Sequence, residues 1–285
     1  MKSKIIKSNL ILILVSMLFL FSSCKTAYSI SPHNCLLVHF IAVGEGDSIL
    51  IQSNNKNILI DSGLPEKRNK LKSYLKKMNV KNFEYVFATH PHDDHIGGMP
   101  TVINNFKIKH FYAPKVVTNT PSFFSMVKAL KKKNLKITPA KAYKKIIINN
   151  NFFIEILAPN SDKYEDMNNY SIVLKLTYYN TKFLFTGDAQ TLSENEILSK
   201  NTDLSCDVLK VGHHGSKTSS SMNFLRKVNP HIAVISCGAG NNYGHPHIET
   251  LNKLESLNCK IYRTDLSGNI IIKSDGNKLS LNTQT

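Results

Sequence analysis

Thr89-His90-Pro91-His92-Asp93-Asp94-His95-Ile96-Gly97-Gly98 is the stretch whose reading decides what this chain is. It places three imidazoles and a carboxylate, those of His90, His92, Asp94 and His95, within six residues. The apolar run 84–88 ahead of it reads as a strand, and the residues behind it as the start of a helix. A loop at a strand end can converge such donors on a small volume. Imidazole nitrogen suits Zn²⁺ and comparable divalent ions, and carboxylate oxygen suits the harder ones. A chance polar loop rarely concentrates histidine in this way.

Outward from that loop, two further apolar runs end in aspartate. Ile58-Leu59-Ile60-Asp61-Ser62-Gly63 lies upstream and Phe183-Leu184-Phe185-Thr186-Gly187-Asp188 downstream. Strands are predicted over 36–41, 48–52 and 57–61, and then over 84–88, 152–157, 171–178, 182–185, 207–211, 232–236 and 269–273. Helical spacing of apolar residues marks 67–78, the Phe123, Met126, Val127 and Leu130 stripe, and the Ile248, Leu251 and Leu254 stripe. These stripes read as core faces. The 285 residues suffice for one large α/β domain. The alternation of strands and helices predicts sheets packed face to face with helices outside.

The histidine stretch matches, position for position, the His-x-His-x-Asp-His motif of the metallo-β-lactamase superfamily, and the two aspartate-ended strands resemble its other motifs in the expected order. The resemblance implies a single-domain αββα sandwich over 36–285 with metals at one edge. Within the superfamily, five segments resemble the ComEC-type domain, the extracellular C-terminal part of the bacterial competence channel. They are Val43-Gly44-Glu45-Gly46-Asp47-Ser48, Asn168-Asn169-Tyr170-Ser171, Lys210-Val211-Gly212-His213-His214-Gly215-Ser216-Lys217-Thr218-Ser219, Tyr243-Gly244-His245-Pro246 and Thr264-Asp265 with Gly268. The channel's membrane helices are absent, so DNA transport itself is not implied.

Carried over residue by residue, the resemblance implies two divalent ions, Zn²⁺ or Mn²⁺. His90 and His92 would hold the first, Asp94 and His95 the second, and Asp188 would bridge them. One of His213 and His214 would complete the second site, with His213 favoured as ligand and His214 facing substrate. Asp61 and Asp47 would support the ligands from behind. Asp94 would orient a water, and His245 or His214 would protonate the leaving group. Ser216, Thr218, Asn169 and Ser171 are candidate substrate contacts. The first two also read as a polar turn capping a helix that starts near Ser221. Most superfamily members place another histidine where this chain has Asn168, Asn169 and Ser171, which implies a more open first site. His33, His39, His110 and His231 fall outside any motif and read as structural or exposed.

A two-metal site implies hydrolysis, since paired ions bring the pKa of a shared water toward neutrality. The net charge of +16 suits a polyanion. Arginine, however, is confined to Arg68, Arg226 and Arg263, and scattered lysine also simply solvates a surface. A phosphodiesterase or nuclease acting on DNA leads. The other readings are a teichoic-acid phosphodiesterase of the choline-phosphate type, a lactonase-type hydrolase, and a non-catalytic polyanion-binding lipoprotein.

Residues 1–24 read as an export signal: Lys2, Lys4 and Lys7, an apolar run from Leu10 to Phe21, then Ser22-Ser23-Cys24. That ending resembles a lipobox with Cys24 as lipid acceptor, followed by a linker over 25–35. It predicts an extracytoplasmic protein held to the membrane by its N-terminal lipid or signal, with secretion as the alternative. Cys35, Cys206, Cys237 and Cys259 show no Cys-x-x-Cys spacing and read as buried thiols.

Overall fold

The computed structural model describes residues 35–284. The predicted signal, lipobox cysteine and most of the linker lie outside them. The first half of the chain forms β1 (Leu36–Phe40), β2 (Ile49–Ser53), β3 (Lys56–Ile60), β4 (Asn82–Phe87), β5 (Lys107–Ala113) and β6 (Ile137–Pro139). The second half forms β7 (Lys145–Asn149), β8 (Phe152–Ala158), β9 (Val173–Tyr178), β10 (Thr181–Phe185), β11 (Val208–Lys210), β12 (Ile232–Ile235) and β13 (Lys260–Arg263). Then β14 (Asn269–Ser274) and β15 (Leu279–Gln284) return to the first half. Among the described residues these make an eight-stranded sheet, β15-β14-β1-β2-β3-β4-β5-β6, and a seven-stranded sheet, β13-β12-β11-β10-β9-β8-β7.

Successive side chains of a strand face opposite ways, so each sheet feeds two cores. Leu36, Val38 and Phe40 of β1 share one cluster with Ile154 and Ile156 of β8 and with Phe183 and Phe185 of β10. The Phe40 and Phe185 rings meet between the sheets with centroids 6.2 Å apart. The other face of the first sheet, through Leu50, Leu59 and Val86, packs on α1 (Arg68–Lys77), α2 (Asp93–Ile96), α3 (Met99–Asn105) and α4 (Pro121–Lys132). The outer face of the second, through Val173, Leu184 and Leu209, packs on α5 (Thr191–Leu198), α6 (Met222–Val228) and α7 (Ile248–Ser256). The layers are therefore helix, sheet, sheet, helix, as the αββα expectation had it. Each fully buried Phe or Leu contributes on the order of 2 kcal/mol by leaving water, which makes the inter-sheet cluster the main source of cohesion.

Several strands were not anticipated. Lys107–Ala113, Ile137–Pro139, Lys145–Asn149, Lys260–Arg263 and Leu279–Gln284 each mix charged or polar residues with apolar ones, and β6, β7, β13 and β15 close the sheet edges, where one side faces water. Cys206, Cys237 and Cys259 are buried free thiols, as expected. No helix of the described residues is long and apolar enough to cross a membrane.

Candidate metal centre

Parallel pairing places the site. β3 and β4 run parallel in the first sheet, and β10, β11 and β12 run parallel in the second. Loops leaving their carboxyl ends meet at one edge of the sandwich, the usual place for ligands in such sheets. Asp61 follows β3, Thr89 to His95 follow β4, Asp188 follows β10, and His213 and His214 follow β11.

Four of these residues converge. One ligand atom each from Asp94, His95, Asp188 and His214 lies within 4.8 Å of all the others. His214 Nε2 stands 3.1 Å from Asp94 Oδ2 and 3.3 Å from Asp188 Oδ2, while His95 Nε2 stands 3.3 Å from Asp188 Oδ1. The two histidine Nε2 atoms face each other at 3.4 Å. Beside this group, His90 Nε2 and His92 Nδ1 meet at 3.0 Å, with Asp188 Oδ2 4.0 Å from His90 Nε2.

Thus His214, and not His213, is the imidazole inside the cluster. Both residues sit in the left-handed backbone region, at φ 49° and 53°, which turns the chain sharply after β11 and reverses the facing expected for the pair. His213 Nε2 is 3.8 Å from Asp188, and its Nδ1 contacts Thr218 Oγ1 at 3.1 Å on the open side.

The surroundings fix which nitrogen of each ring faces the cluster. Asp61, itself left-handed at φ 59°, accepts from Thr89 N at 2.8 Å and Thr89 Oγ1 at 2.6 Å, and pairs with His95 Nδ1 at 2.8 Å. The carbonyl of Ser236 accepts from His214 Nδ1 at 2.9 Å. Asp47 forms a fully buried ion pair with Lys210 at 2.8 Å, and its other oxygen is 3.7 Å from His214 Nδ1. Thr89 and Lys210 were both quoted in motifs but given no role from sequence. A lysine between Leu209 and Val211 in a buried strand was the available signal.

Asn169 and Ser171 do not face substrate as expected. Ser171 is fully buried; its Oγ accepts from Asp188 N at 3.0 Å and lies 3.3 Å from His90 Nδ1, so it braces the centre from within. Asn169 is also buried, its Oδ1 accepting from Gln190 N. Ser216 is buried against Thr218 Oγ1 at 3.0 Å, which leaves Thr218 as the exposed member of that pair. The helix α6 starts where expected, but its cap is Ser221, whose Oγ accepts from Phe224 N, and not Ser216 or Thr218, which bond to each other.

His245 reaches the rim of the centre, its ring 6.0 Å from that of His214 and 5.6 Å from that of His213. Its Nδ1 pairs with Glu45 at 2.8 Å, and the other Glu45 oxygen accepts from Gly238 N at 2.7 Å. Glu45 was quoted in a motif but given no role.

Electrostatically the centre demands positive charge. Burial opposes protonation of His95 and His214, yet neighbouring carboxylates, Asp188 first, hold both well above the usual histidine range. Burial likewise opposes ionisation of Asp188, but His214 and His95 hold it well below the usual carboxylate range. Burial pushes His90 far down, leaving it neutral. Asp188 Oδ1 is buried without a hydrogen-bond partner among the described residues. Nitrogens aimed at one another, a buried carboxylate oxygen without a hydrogen bond and an excess of negative field fit a divalent cation, by the chemistry of the donor set.

The model of the Metallo-beta-lactamase superfamily matches residues 41–239. ComE operon protein 3 of Bacillus subtilis (strain 168) is 28% identical over 271 residues, covering 87% of this chain and 34% of its own length. Competence protein ComA of Neisseria gonorrhoeae is 30% identical over 239 residues, covering 83% and 32%. The chain thus spans about a third of the length of these curated relatives. Among solved structures, the metallo-beta-lactamase fold protein YhfI from Bacillus subtilis superposes with a TM-score of 0.56 at 11% identity, covering 87% of this chain and all of that one. CmlA, a diiron beta-hydroxylase from Streptomyces venezuelae, gives 0.57 at 10% identity, covering 87% and 54%. These likenesses carry the fold alone. With the matched model covering the larger part of the sequence and the donor cluster lying at the sandwich edge, the chain belongs to the metallo-β-lactamase superfamily.

Proposed function

We propose that this protein is an exported two-metal phosphodiesterase that cleaves DNA. The observation that carries the reading is the convergence of Asp94, His95, Asp188 and His214 on one point, with His90 and His92 paired beside it. His90, His92 and Asp188 would hold one divalent ion, and Asp94, His95, His214 and Asp188 the other. When bound, such ions bring the pKa of a water toward neutrality and neutralise charge building on a phosphoryl group.

The chain's own residues supply the rest. Asp61 and the Ser236 carbonyl keep a proton on Nδ1 of His95 and His214, so that each Nε2 lone pair faces the centre. Asp94, partly open to solvent, orients the attacking water. Glu45 accepts a hydrogen bond from His245 Nδ1–H, so a ring protonated on both nitrogens can give its Nε2 proton to the leaving oxygen and keep the one on Nδ1. Thr218 offers an exposed hydroxyl to substrate. The net charge of +16 favours a polyanionic substrate, and the competence proteins among its relatives direct the choice to DNA. Residues 1–24, with Cys24 as lipid acceptor, would hold the protein to the outer face of the membrane; incorporation of labelled fatty acid, lost in Cys24→Ala, tests that.

The decisive experiment incubates the purified protein with single- and double-stranded DNA and with bis-p-nitrophenyl phosphate, in Mn²⁺, Zn²⁺ or chelator. Metal-dependent DNA cleavage that disappears in Asp188→Asn is the expected result. Cleavage of the small diester alone redirects the assignment to a wall-polymer phosphodiesterase. No turnover with any metal removes the phosphodiesterase reading and leaves the lactonase-type and polyanion-binding ones.

A further inference from the structure

A cavity of about 420 Å³ opens where the segments after β5, β6 and β8 come together, inside the range of about 300–1,000 Å³ usual for ligand sites. Its wall includes Tyr170, the neighbour in sequence of Ser171, which touches both His90 and Asp188. Lys115, on another wall, follows Pro114, and Pro114 lines a smaller hollow together with His90 and Pro91. Tyr170 and Lys115 are thus chain neighbours of residues that brace the centre or share a hollow with His90.

Three lysines surround this cavity from separate parts of the fold: Lys115 after β5, Lys141 after β6 and Lys200 after α5. All three are exposed, and none has an ion-pair partner among the described residues. Asp162 is the carboxylate of the lining. Gathering unpaired ammonium groups around one concavity works against the fold through mutual repulsion, and a bound polyanion reverses that sign.

Tyr143 completes the wall. Its backbone is left-handed at φ 65°, a strained conformation for an aromatic residue. Tyr143 N donates to Ile156 O at 2.6 Å and its hydroxyl donates to Asn160 Oδ1 at 2.7 Å, yet the residue is 47% exposed. The residue is thus held at its backbone and at its hydroxyl while about half of it stays open to solvent. A fixed, open aromatic face is what a nucleobase stacks on.

We infer that this cavity is a subsite for single-stranded nucleic acid, in which Lys115, Lys141 and Lys200 take backbone phosphates beside the cleaved one and Tyr143 stacks a base. The inference rests on the phosphodiesterase reading and names its substrate class. A wall polymer of polyol phosphates shares the anionic backbone but has no base for Tyr143.

Binding, rather than turnover, tests the subsite. Fluorescence anisotropy of a labelled short oligothymidylate is followed with the full-length protein in chelator, between about 50 and 200 mM salt. Replacing Lys115, Lys141 and Lys200 together by Gln lowers the slope of log affinity against log salt by about 2, since each single-strand phosphate contact contributes about 0.7. Over that salt range, wild-type affinity therefore falls roughly 20-fold further than that of the variant. Substituting the exposed run Lys131, Lys132 and Lys133 by Gln removes equal charge at a distant helix end and leaves the slope near wild type. Tyr143→Ala weakens oligothymidylate binding about 10-fold, in the range of one stacked base, and leaves an abasic strand of equal length unaffected. Thermal melting like that of wild type shows that the variants fold. Equal losses in the two lysine variants, or equal wild-type affinity for thymidylate and abasic strands, overturn the subsite. A wild-type protein that binds through these residues but hydrolyses no diester with any metal supports the subsite and removes only the phosphodiesterase reading.

Discussion

Replacing Asp61 by Asn keeps the shape of a fully buried side chain and changes one oxygen into an NH₂. If the nitrogen takes the place of Oδ2, it faces Thr89 Oγ1 at 2.6 Å and His95 Nδ1 at 2.8 Å. The hydroxyl can rotate to accept, but the imidazole must move its proton to Nε2, the atom 3.3 Å from Asp188. A protonated Nε2 has no lone pair for a metal. If the nitrogen instead replaces Oδ1, it meets Thr89 N at 2.8 Å, donor against donor. A proton kept on Nδ1 in the first orientation, or the Thr89 N–H in the second, is a stranded buried donor, which costs about 1–3 kcal/mol. Loss of such outer support weakens metal sites about 10–100-fold, or about 1.4–2.8 kcal/mol, so the two routes agree. Calorimetric titration of the metal-free variant with Zn²⁺ and Mn²⁺ should show one ion bound about 10–100-fold more weakly. Urea unfolding in chelator separates this from any loss of fold. Wild-type affinity and stoichiometry in Asp61→Asn would refute the tautomer argument.

Three other predictions follow from the same geometry. His214→Ala should lower metal stoichiometry from two ions to one while His213→Ala keeps both, as read by equilibrium dialysis; the opposite pattern restores His213 as the ligand. Gly46 has φ +129° and a Cβ there would lie 2.3 Å from the Asp94 carbonyl, so Gly46→Ala should lower the melting temperature by about 5 °C or more. An Ala variant that melts like wild type shows that the loop gives way freely. His39 is buried in β1, with Tyr74 on Nδ1 and no partner for Nε2 among the described residues, and burial lowers its pKa from 6.5 to about 4. The unfolded chain takes up this proton near pH 6.5 and the folded one only near 4, so the stabilisation is complete above 6.5 and is lost as pH falls to 4. The loss amounts to about 3.5 kcal/mol, from a gap of about 2.5 pH units at about 1.4 kcal/mol each. Urea unfolding should show a flatter acid limb in His39→Leu, and an unchanged limb counts against this cause.

Sequence by itself determined the features that repeat locally. Nearly continuous apolar runs in 36–41, 57–61 and 182–185 were legible as strands because both faces of these central strands are buried. Edge strands such as Leu279–Gln284 face water on one side and lack that signal. The donors His90, His92, Asp94, His95 and Asp188 were legible because strand-end loops, each attached to an apolar run, must emerge at one edge of a parallel sheet. What only the tertiary structure decided depends on partners far apart in the chain or on backbone turns that no periodicity encodes. Left-handed residues at His213 and His214 chose which imidazole faces Asp188. Glu45 found His245 two hundred positions away. Ser171 was drawn inside by Asp188 N and His90 rather than offered to substrate. Lys115, Lys141 and Lys200, unremarkable among the chain's many lysines, acquired a common cavity because three separate elements end at the same edge. Local pattern fixes which face of an element is buried; the register and turns of the assembled sheets fix which side chains then meet.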